Sequence, residues 1–102
     1  MDNEEKIKYI SGLIGESHTE QQYYKLLEVM GDLKHNYRHY LSTEPIDCDK
    51  ELERLNSADY ELCTALLTML LREDHFSNGS LQKRYEEGQV DVILEKMIEL
   101  LE

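Results

Sequence analysis

The stretch from Leu62 to Leu71 constrains the fold more than any other part of the chain. Only Thr64 and Thr68 are polar within it, so a helix formed here is apolar on almost every side. Such a helix is buried within a bundle, and the stretch is far shorter than the roughly 20 residues needed to span a membrane. We therefore predict an all-α fold, a compact bundle of four to six helices around an apolar central helix over about 58–74.

The other predicted helices follow from amphipathic periodicity. Apolar residues recur at spacings of three and four along most of the chain, which is the pattern of one apolar face on a helix. Pro45 and the glycines Gly15, Gly79 and Gly88 mark helix ends. Gly31 is expected to weaken the second helix by roughly 1 kcal/mol relative to alanine, and to mark either a close approach or a bend. Besides the central helix, the predicted helices cover about 3–14, 19–42, 47–55, 80–87 and 89–101.

Residues that favour helix starts support these boundaries. Serine, threonine, asparagine and aspartate accept a hydrogen bond from a free N–H of the first helical turn. The candidate N-caps are Asp2 for the first helix, Ser17 or Thr19 for the second, and Asn56 or Ser57 for the central helix.

The charge balance limits the partners. The 102 residues include 22 acidic residues and 11 lysines and arginines, which gives a formal net charge of −11 at pH 7. Direct binding to nucleic acid or to an anionic membrane needs basic residues, so we expect neither. One helical domain, 1–102, is expected for this length. Because the acidic N-terminus lacks an apolar signal core, we expect Cys48 and Cys63 to be reduced and the protein to be cytoplasmic.

The octapeptide LKHNYRHY, residues 33–40, is the only basic cluster in this acidic chain. It is rich in tyrosine, and tyrosine and arginine are favoured anchors of protein interfaces. Basic and aromatic residues also line single-stranded nucleic-acid grooves, but four groups do not outweigh the surrounding negative charge. We predict a surface that binds a protein partner or a second copy of the chain, formed by Tyr24, His35, Tyr37, Arg38, His39 and Tyr40.

A metal site is a further hypothesis for the same segment. His35 and His39 are four residues apart, one helical turn, and could supply two ligands. Candidate third ligands elsewhere are His18, Asp47 and Cys48. Lys34 and Arg38 would oppose a divalent cation, and the intervening glutamate of a zinc-protease helix is missing. We therefore expect no metal and no cofactor.

The segment REDHF, residues 72–76, breaks a rule of helix ends, because acidic residues near a C-terminus oppose the helix dipole. We interpret it as a structural turn in which Arg72 pairs with Asp74 or caps carbonyls, Phe76 folds back onto the core and Gly79 ends the helix. Asp74 and the following histidine would be an acid–base pair only if they met, but adjacent helical residues point about 100° apart. No nucleophile with a base and no phosphate-binding loop accompanies them, so we predict no enzymatic activity.

Carboxylates recur every four residues near the C-terminus. On a final helix they would form an acidic ridge, made of Glu87, Asp91, Glu95 and Glu99. Regular negative charge along a rod can imitate a phosphate backbone. The alternative interpretation is the solvated face of an acidic protein.

Residues 57–101 resemble an uncharacterised bacterial family of unknown function. The pattern is an apolar helix ending L-T-x-x-x-R, then an acidic residue, Phe and Gly, an E-x-G turn and a helix with I-L-x-R/K. The matching positions are Leu67, Thr68, Arg72, Asp74, Phe76, Gly79, Glu86, Gly88, Ile93, Leu94 and Lys96. Ser77 replaces an expected cysteine and Asn78 an expected acidic residue, so no site that needs that cysteine carries over.

The resemblance implies a bacterial, intracellular protein of a mobile element or accessory gene, and a fixed turn at residues 72–79. The favoured function is a noncatalytic protein–protein interaction or regulatory module. The alternative is an acidic nucleic-acid mimic that inhibits a DNA- or RNA-handling enzyme, and a metal-dependent enzyme comes third.

Overall fold

The central helix of the molecule runs from Tyr60 to Phe76. In the computed structural model, which describes residues 1–102, every residue from Cys63 to Leu71 on this helix is buried. The hydroxyls of Thr64 and Thr68 donate to the carbonyls of Glu61 and Thr64, both at 2.8 Å, so neither threonine leaves a buried polar atom unsatisfied. The all-α bundle around this helix is confirmed.

Six α-helices and two short 3₁₀-helices make up the ordered elements, and there is no strand. The α-helices are α1 (Asn3–Ser11), α2 (Glu20–Met30), α3 (Cys48–Leu52), α4 (Tyr60–Phe76), α5 (Ser80–Glu86) and α6 (Gln89–Leu101), and the 3₁₀-helices are Tyr37–Tyr40 and Glu53–Ser57. Helices α2, α5 and α6 pack on α4, and α1 packs on α6. No helix is both long and apolar enough to cross a membrane.

Helix α2 is shorter than predicted. We expected a helix over 19–42, but α2 ends at Met30, and Gly31 adopts the left-handed conformation with φ of +75°. The Gly31 N–H bonds to the carbonyl of Glu28 at 3.0 Å, and the Asp32 N–H bonds to that of Leu27 at 2.9 Å. This Schellman arrangement satisfies the last carbonyls of α2 and turns the chain away from the helix axis.

Replacement of Gly31 by alanine is expected to reduce the free energy of unfolding by about 1 kcal/mol, since a left-handed conformation strains a residue with a Cβ. A Cβ at this position would meet no atom within 4 Å, so the loss comes from the backbone alone. Gly31→Asn should lose less, because asparagine tolerates this conformation better. Urea denaturation of both variants checks this, and equal losses would contradict it.

The helix starts agree only in part with the sequence. Asp2 caps α1 by accepting from the Glu5 N–H at 2.9 Å, as predicted. Thr19 rather than Ser17 caps α2, and Gln22 completes a capping box there. Neither Asn56 nor Ser57 caps α4, because residues 53–57 form a 3₁₀-helix and Asp59 accepts from the Leu62 N–H at 2.8 Å instead.

A buried carboxylate holds the chain that follows the first 3₁₀-helix, Tyr37–Tyr40. Glu51 on α3 is completely buried. Its oxygens accept from the N–H groups of Ser42 at 3.0 Å and Thr43 at 2.7 Å, from both hydroxyls, and from Arg54 Nη1 at 2.8 Å. Arg54 Nη1 also donates to the carbonyl of Tyr40 at 2.9 Å. These bonds hold the chain that leaves the Tyr37–Tyr40 helix against α3.

A second buried carboxylate connects three helices. Asp32, 8% exposed, follows the end of α2. It accepts the hydroxyl of Tyr60 at 2.6 Å and pairs with Lys6 Nζ at 2.9 Å. Burial, followed by the hydrogen bond to Asp32, raises the pKa of Tyr60. The first turn of α4 and the middle of α1 are thereby attached to the end of α2.

Candidate functional site

A cleft of about 900 Å³ lies between α2, the segment that follows Gly31, and the C-terminal half of α4. We call it the cationic cleft. Its lining residues are Gln21, Tyr24, Lys25 and Glu28 from α2, Leu33 to His39 from the connecting segment, and Thr68, Arg72 and Phe76 from α4. That volume lies in the range of ordinary ligand pockets.

The turn at Gly31 creates the cleft. After it, the chain leaves α2, and the 3₁₀-helix Tyr37–Tyr40 packs against α4. Tyr37 is the anchor of this segment, since it is only 8% exposed. The guanidinium of Arg38 lies 5.7 Å from the centre of the Tyr37 ring, a cation–π distance. The basic segment is thus held in place beside the exposed side of α2.

The cleft concentrates positive charge in an acidic protein. Four of the chain's 11 lysines and arginines line it, against one of its 22 acidic residues, Glu28. Lys34 is paired with Glu61 at 2.5 Å. Lys25, Arg38 and Arg72 take part in none of the ion pairs of the molecule. Three cations therefore remain available to an anionic group that enters the cleft.

The neighbouring acid on α4 is kept away from the cleft by a separate ion pair. Glu73 accepts from Arg84 in a bidentate arrangement, at 3.0 Å from Nε and 2.8 Å from Nη2. Arg84 on α5 also donates to Asp49 at 2.6 Å. Because Glu73 is held there, it does not neutralise Arg72, the residue before it.

Two aromatic side chains give the cleft an apolar component. Phe76 is 77% exposed, the most exposed large apolar residue of the chain, and the ring of His75 contacts it edge-on at 5.1 Å between centroids. Tyr24 is half-buried, and its hydroxyl is shielded from solvent. Burial raises the pKa of Tyr24, and the nearby Arg72 acts in the opposite direction.

The structure brings together most, not all, of the predicted partner surface. Tyr24, His35, Tyr37, Arg38 and His39 all line the cleft. Tyr40 does not line it, since its half-buried side chain packs against the core. Four residues of the cleft were not predicted to lie there: Lys25, Thr68, Arg72 and Phe76. Residues 19–42 were predicted as one helix, and the packing of α4 against the segment after Gly31 leaves no local pattern in the sequence. The αL tendency of Gly31 was the signal that could have located the turn.

The metal-site hypothesis loses its geometric basis. His35 precedes the 3₁₀-helix Tyr37–Tyr40 and His39 lies within it, so the two histidines do not share a face of one α-helix as predicted. No group of three or more histidines, cysteines, aspartates or glutamates is arranged to hold a metal ion.

The turn after α4 is built differently from the prediction. Asp74 accepts from the N–H groups of Gly79 at 3.2 Å and Leu81 at 3.0 Å, and Gly79 has φ of +94°. Arg72 does not pair with Asp74, because the Asp74 carboxylate accepts from these two N–H groups of the turn. Arg72 lines the cleft instead. Phe76 does not close the core, since its side chain is exposed, whereas Leu81 of the next helix is buried in the core. The expectations for Arg72 and Phe76 were therefore wrong.

The acidic ridge is not a continuous row of free carboxylates. Glu87 lies beyond the end of α5 and is separated from α6 by Gly88. Asp91 is half-buried and accepts from the Gly15 N–H at 3.1 Å. Glu95 and Glu99 are exposed, although Lys96 lies 3.6 Å from Glu99.

A family model described as "Family of unknown function (DUF6508)" matches residues 16–102. The chain belongs to this family. The DUF6508 match includes the resemblance seen over 57–101 and extends it to residue 16, so every residue of the cationic cleft lies within the family region and α1 lies outside it. Neither a curated protein nor a solved structure matches the chain. DUF6508 carries no assigned activity.

Proposed function

We propose that this chain is a noncatalytic protein-interaction module of the bacterial cytoplasm and that the cationic cleft is its binding face. The observation that carries the proposal is the concentration of unpaired cations and an exposed phenylalanine at one cleft of a protein with a net charge of −11. Exposed aromatic residues and arginines are typical anchors of protein interfaces.

The side chains of the cleft favour binding over catalysis. The Thr68 hydroxyl already donates to a backbone carbonyl. Neither His35 nor His39 has a carboxylate within 4.0 Å to orient it as a base. A nucleophile activated by an oriented base, the usual arrangement of covalent catalysis, is thus missing from the cleft.

A charge-reversal experiment tests the proposal. The immobilised chain is used to capture proteins from an extract of the source cells, and bound proteins are quantified by mass spectrometry. Arg38→Glu with Arg72→Glu should reduce capture of the specific partner by at least about tenfold, because like charges then face its anionic groups. Both arginines are exposed, so the fold should be retained, which circular dichroism checks.

The matched control combines Lys8→Glu with Lys83→Glu, which changes the net charge equally. Both lysines are exposed, lie outside the cleft and form no ion pair. Partners lost equally from the two double variants would contradict the proposal. Loss only on Glu95→Lys with Glu99→Lys would support the acidic-mimic alternative instead.

A further inference from the structure

We propose that the cationic cleft binds an extended acidic segment of three or four residues in a partner protein, with its carboxylates on Arg38 and Arg72 and an adjacent apolar side chain on Phe76. This inference rests on the proposed function and adds the chemistry of the ligand.

The length of the cleft sets the length of the segment. On α4 the lining residues run from Thr68 to Phe76, a rise of about 12 Å at roughly 1.5 Å per residue. On α2 they run from Gln21 to Glu28, or about 10 Å by the same rise. An extended chain advances about 3.3 Å per residue. Three or four residues therefore span the cleft.

The free hydrogen-bond donors of the cleft suit carboxylates. Arginine presents a planar set of N–H groups that binds a carboxylate through two bonds. Arg38 is already positioned by the ring of Tyr37, at 5.7 Å, which reduces the entropy lost when it binds. Arg72 is exposed, lines the same cleft and takes part in no ion pair. A carboxylate accepts from both arginines through charge-assisted bonds, which are roughly twice as strong as the bonds that the backbone carbonyls of a neutral segment would accept.

Phe76 gives the cleft a preference beyond charge. Its ring is 77% exposed and lines the same cleft as Arg72. Burial of apolar surface contributes roughly 25 cal/mol per Å², so an apolar or aromatic residue beside the carboxylates adds to binding. The favoured segment is consequently mixed, with acidic and apolar residues adjacent.

The charge around the cleft favours a short protein segment over a nucleic acid. Electrostatic interactions fade over about 8 Å at physiological ionic strength, so three or four residues within the cleft experience mainly its own cations. A longer polyanion would continue past the cleft over a protein of net charge −11.

Titration of the ¹⁵N-labelled full chain with short peptides tests the inference by NMR. The probe is acetyl-Gly-Asp-Glu-Phe-Gly-amide, and its matched control is the uncharged acetyl-Gly-Asn-Gln-Phe-Gly-amide. The acidic peptide should shift the amide signals of Tyr24, Arg38, Arg72 and Phe76 and bind at least about tenfold more tightly than its control, as expected for charge-assisted bonds. Arg38→Gln and Arg72→Gln should each weaken it severalfold, whereas Lys83→Gln should not.

Three results would overturn the inference. Equal binding of the charged and uncharged peptides would make the cleft an apolar site. Tighter binding of oligothymidylate than of the acidic peptide would make it a nucleic-acid site. No shift at the cleft with either peptide at millimolar concentration would exclude a short segment as the ligand. The first and third results leave the protein-capture experiment to decide the proposed function separately. A well-dispersed spectrum of each variant confirms that it folds.

Discussion

Replacement of Glu51 by glutamine is expected to lower the free energy of unfolding by about 3 kcal/mol, because a buried, hydrogen-bonded charge is lost. Glu51 is fully buried and accepts from Ser42, Thr43 and Arg54. A glutamine side chain has the same shape but directs an N–H₂ group at these donors. At about 4–8 °C per kcal/mol for a chain of this size, the melting temperature should fall by roughly 12–24 °C.

The effect of Glu51 should depend on pH. Burial raises its pKa, but the hydrogen bonds from Thr43, Arg54 and Ser42 together outweigh burial and lower the pKa from 4.5 to about 2. A group whose pKa is lowered on folding stabilises the folded state above its unfolded pKa. The contribution of Glu51 is thus complete above pH 4.5 and is lost as the pH falls towards 2.

Thermal and urea unfolding of wild type and Glu51→Gln between pH 7 and pH 3 measure this effect. The difference between them should be largest at neutral pH and should shrink below pH 4.5. Glu53→Gln, an exposed neighbour without a hydrogen bond or ion pair, is the control and should change stability by less than about 0.5 kcal/mol. A difference that stays constant with pH would show that shape, not charge, is responsible.

Asp32→Asn is expected to reduce the free energy of unfolding by about 2 kcal/mol. Removing one partner of a fully buried ion pair costs about 3–5 kcal/mol. The loss expected here is smaller, because the side chains of Lys6 and Asp32 are 16% and 11% exposed. Asparagine can still accept the hydroxyl of Tyr60, now 2.6 Å from the carboxylate. The expected loss therefore comes mainly from the pair with Lys6.

A double-mutant cycle with Lys6→Met isolates that pair. Since Lys6 and Asp32 interact directly at 2.9 Å, the double variant should lose less stability than the sum of the single variants. Glu4→Gln, an exposed acid on α1 without an ion pair, is the control for loss of one negative charge. Additive losses would mean that the pair does not stabilise the fold.

The helical core could be predicted because local signals and burial agree there. The apolar run from Leu62 to Leu71 located the central helix, and α6 occupies the predicted residues 89–101. The prediction for 19–42 was wrong because helical periodicity in the residues after Gly31 was read as a continuation of the helix. Glycine tolerates both a helix and a left-handed stop, and the packing of Tyr37 against the core decided between them.

The sequence predicted several residues of the candidate site but not their arrangement in space. Tyr24, Tyr37 and Arg38 were correctly grouped, since they are close in sequence. Arg72 and Phe76 join them through tertiary packing of α4, which no local pattern reveals. Their local sequence instead favoured a pairing with Asp74 and a place in the core, and the Asp74 carboxylate bonds to backbone N–H groups of the following turn.

The position of Thr68 connects the cleft to the whole fold. This residue is 2% exposed on the central helix and also lines the cleft, so a bound ligand rests on a surface that exists only when the bundle is assembled. Ligand binding and folding are then thermodynamically linked. A ligand present at 100 times its Kd would stabilise the folded chain by about 2.7 kcal/mol. A rise in melting temperature can therefore report occupancy of the cleft before any natural partner has been isolated.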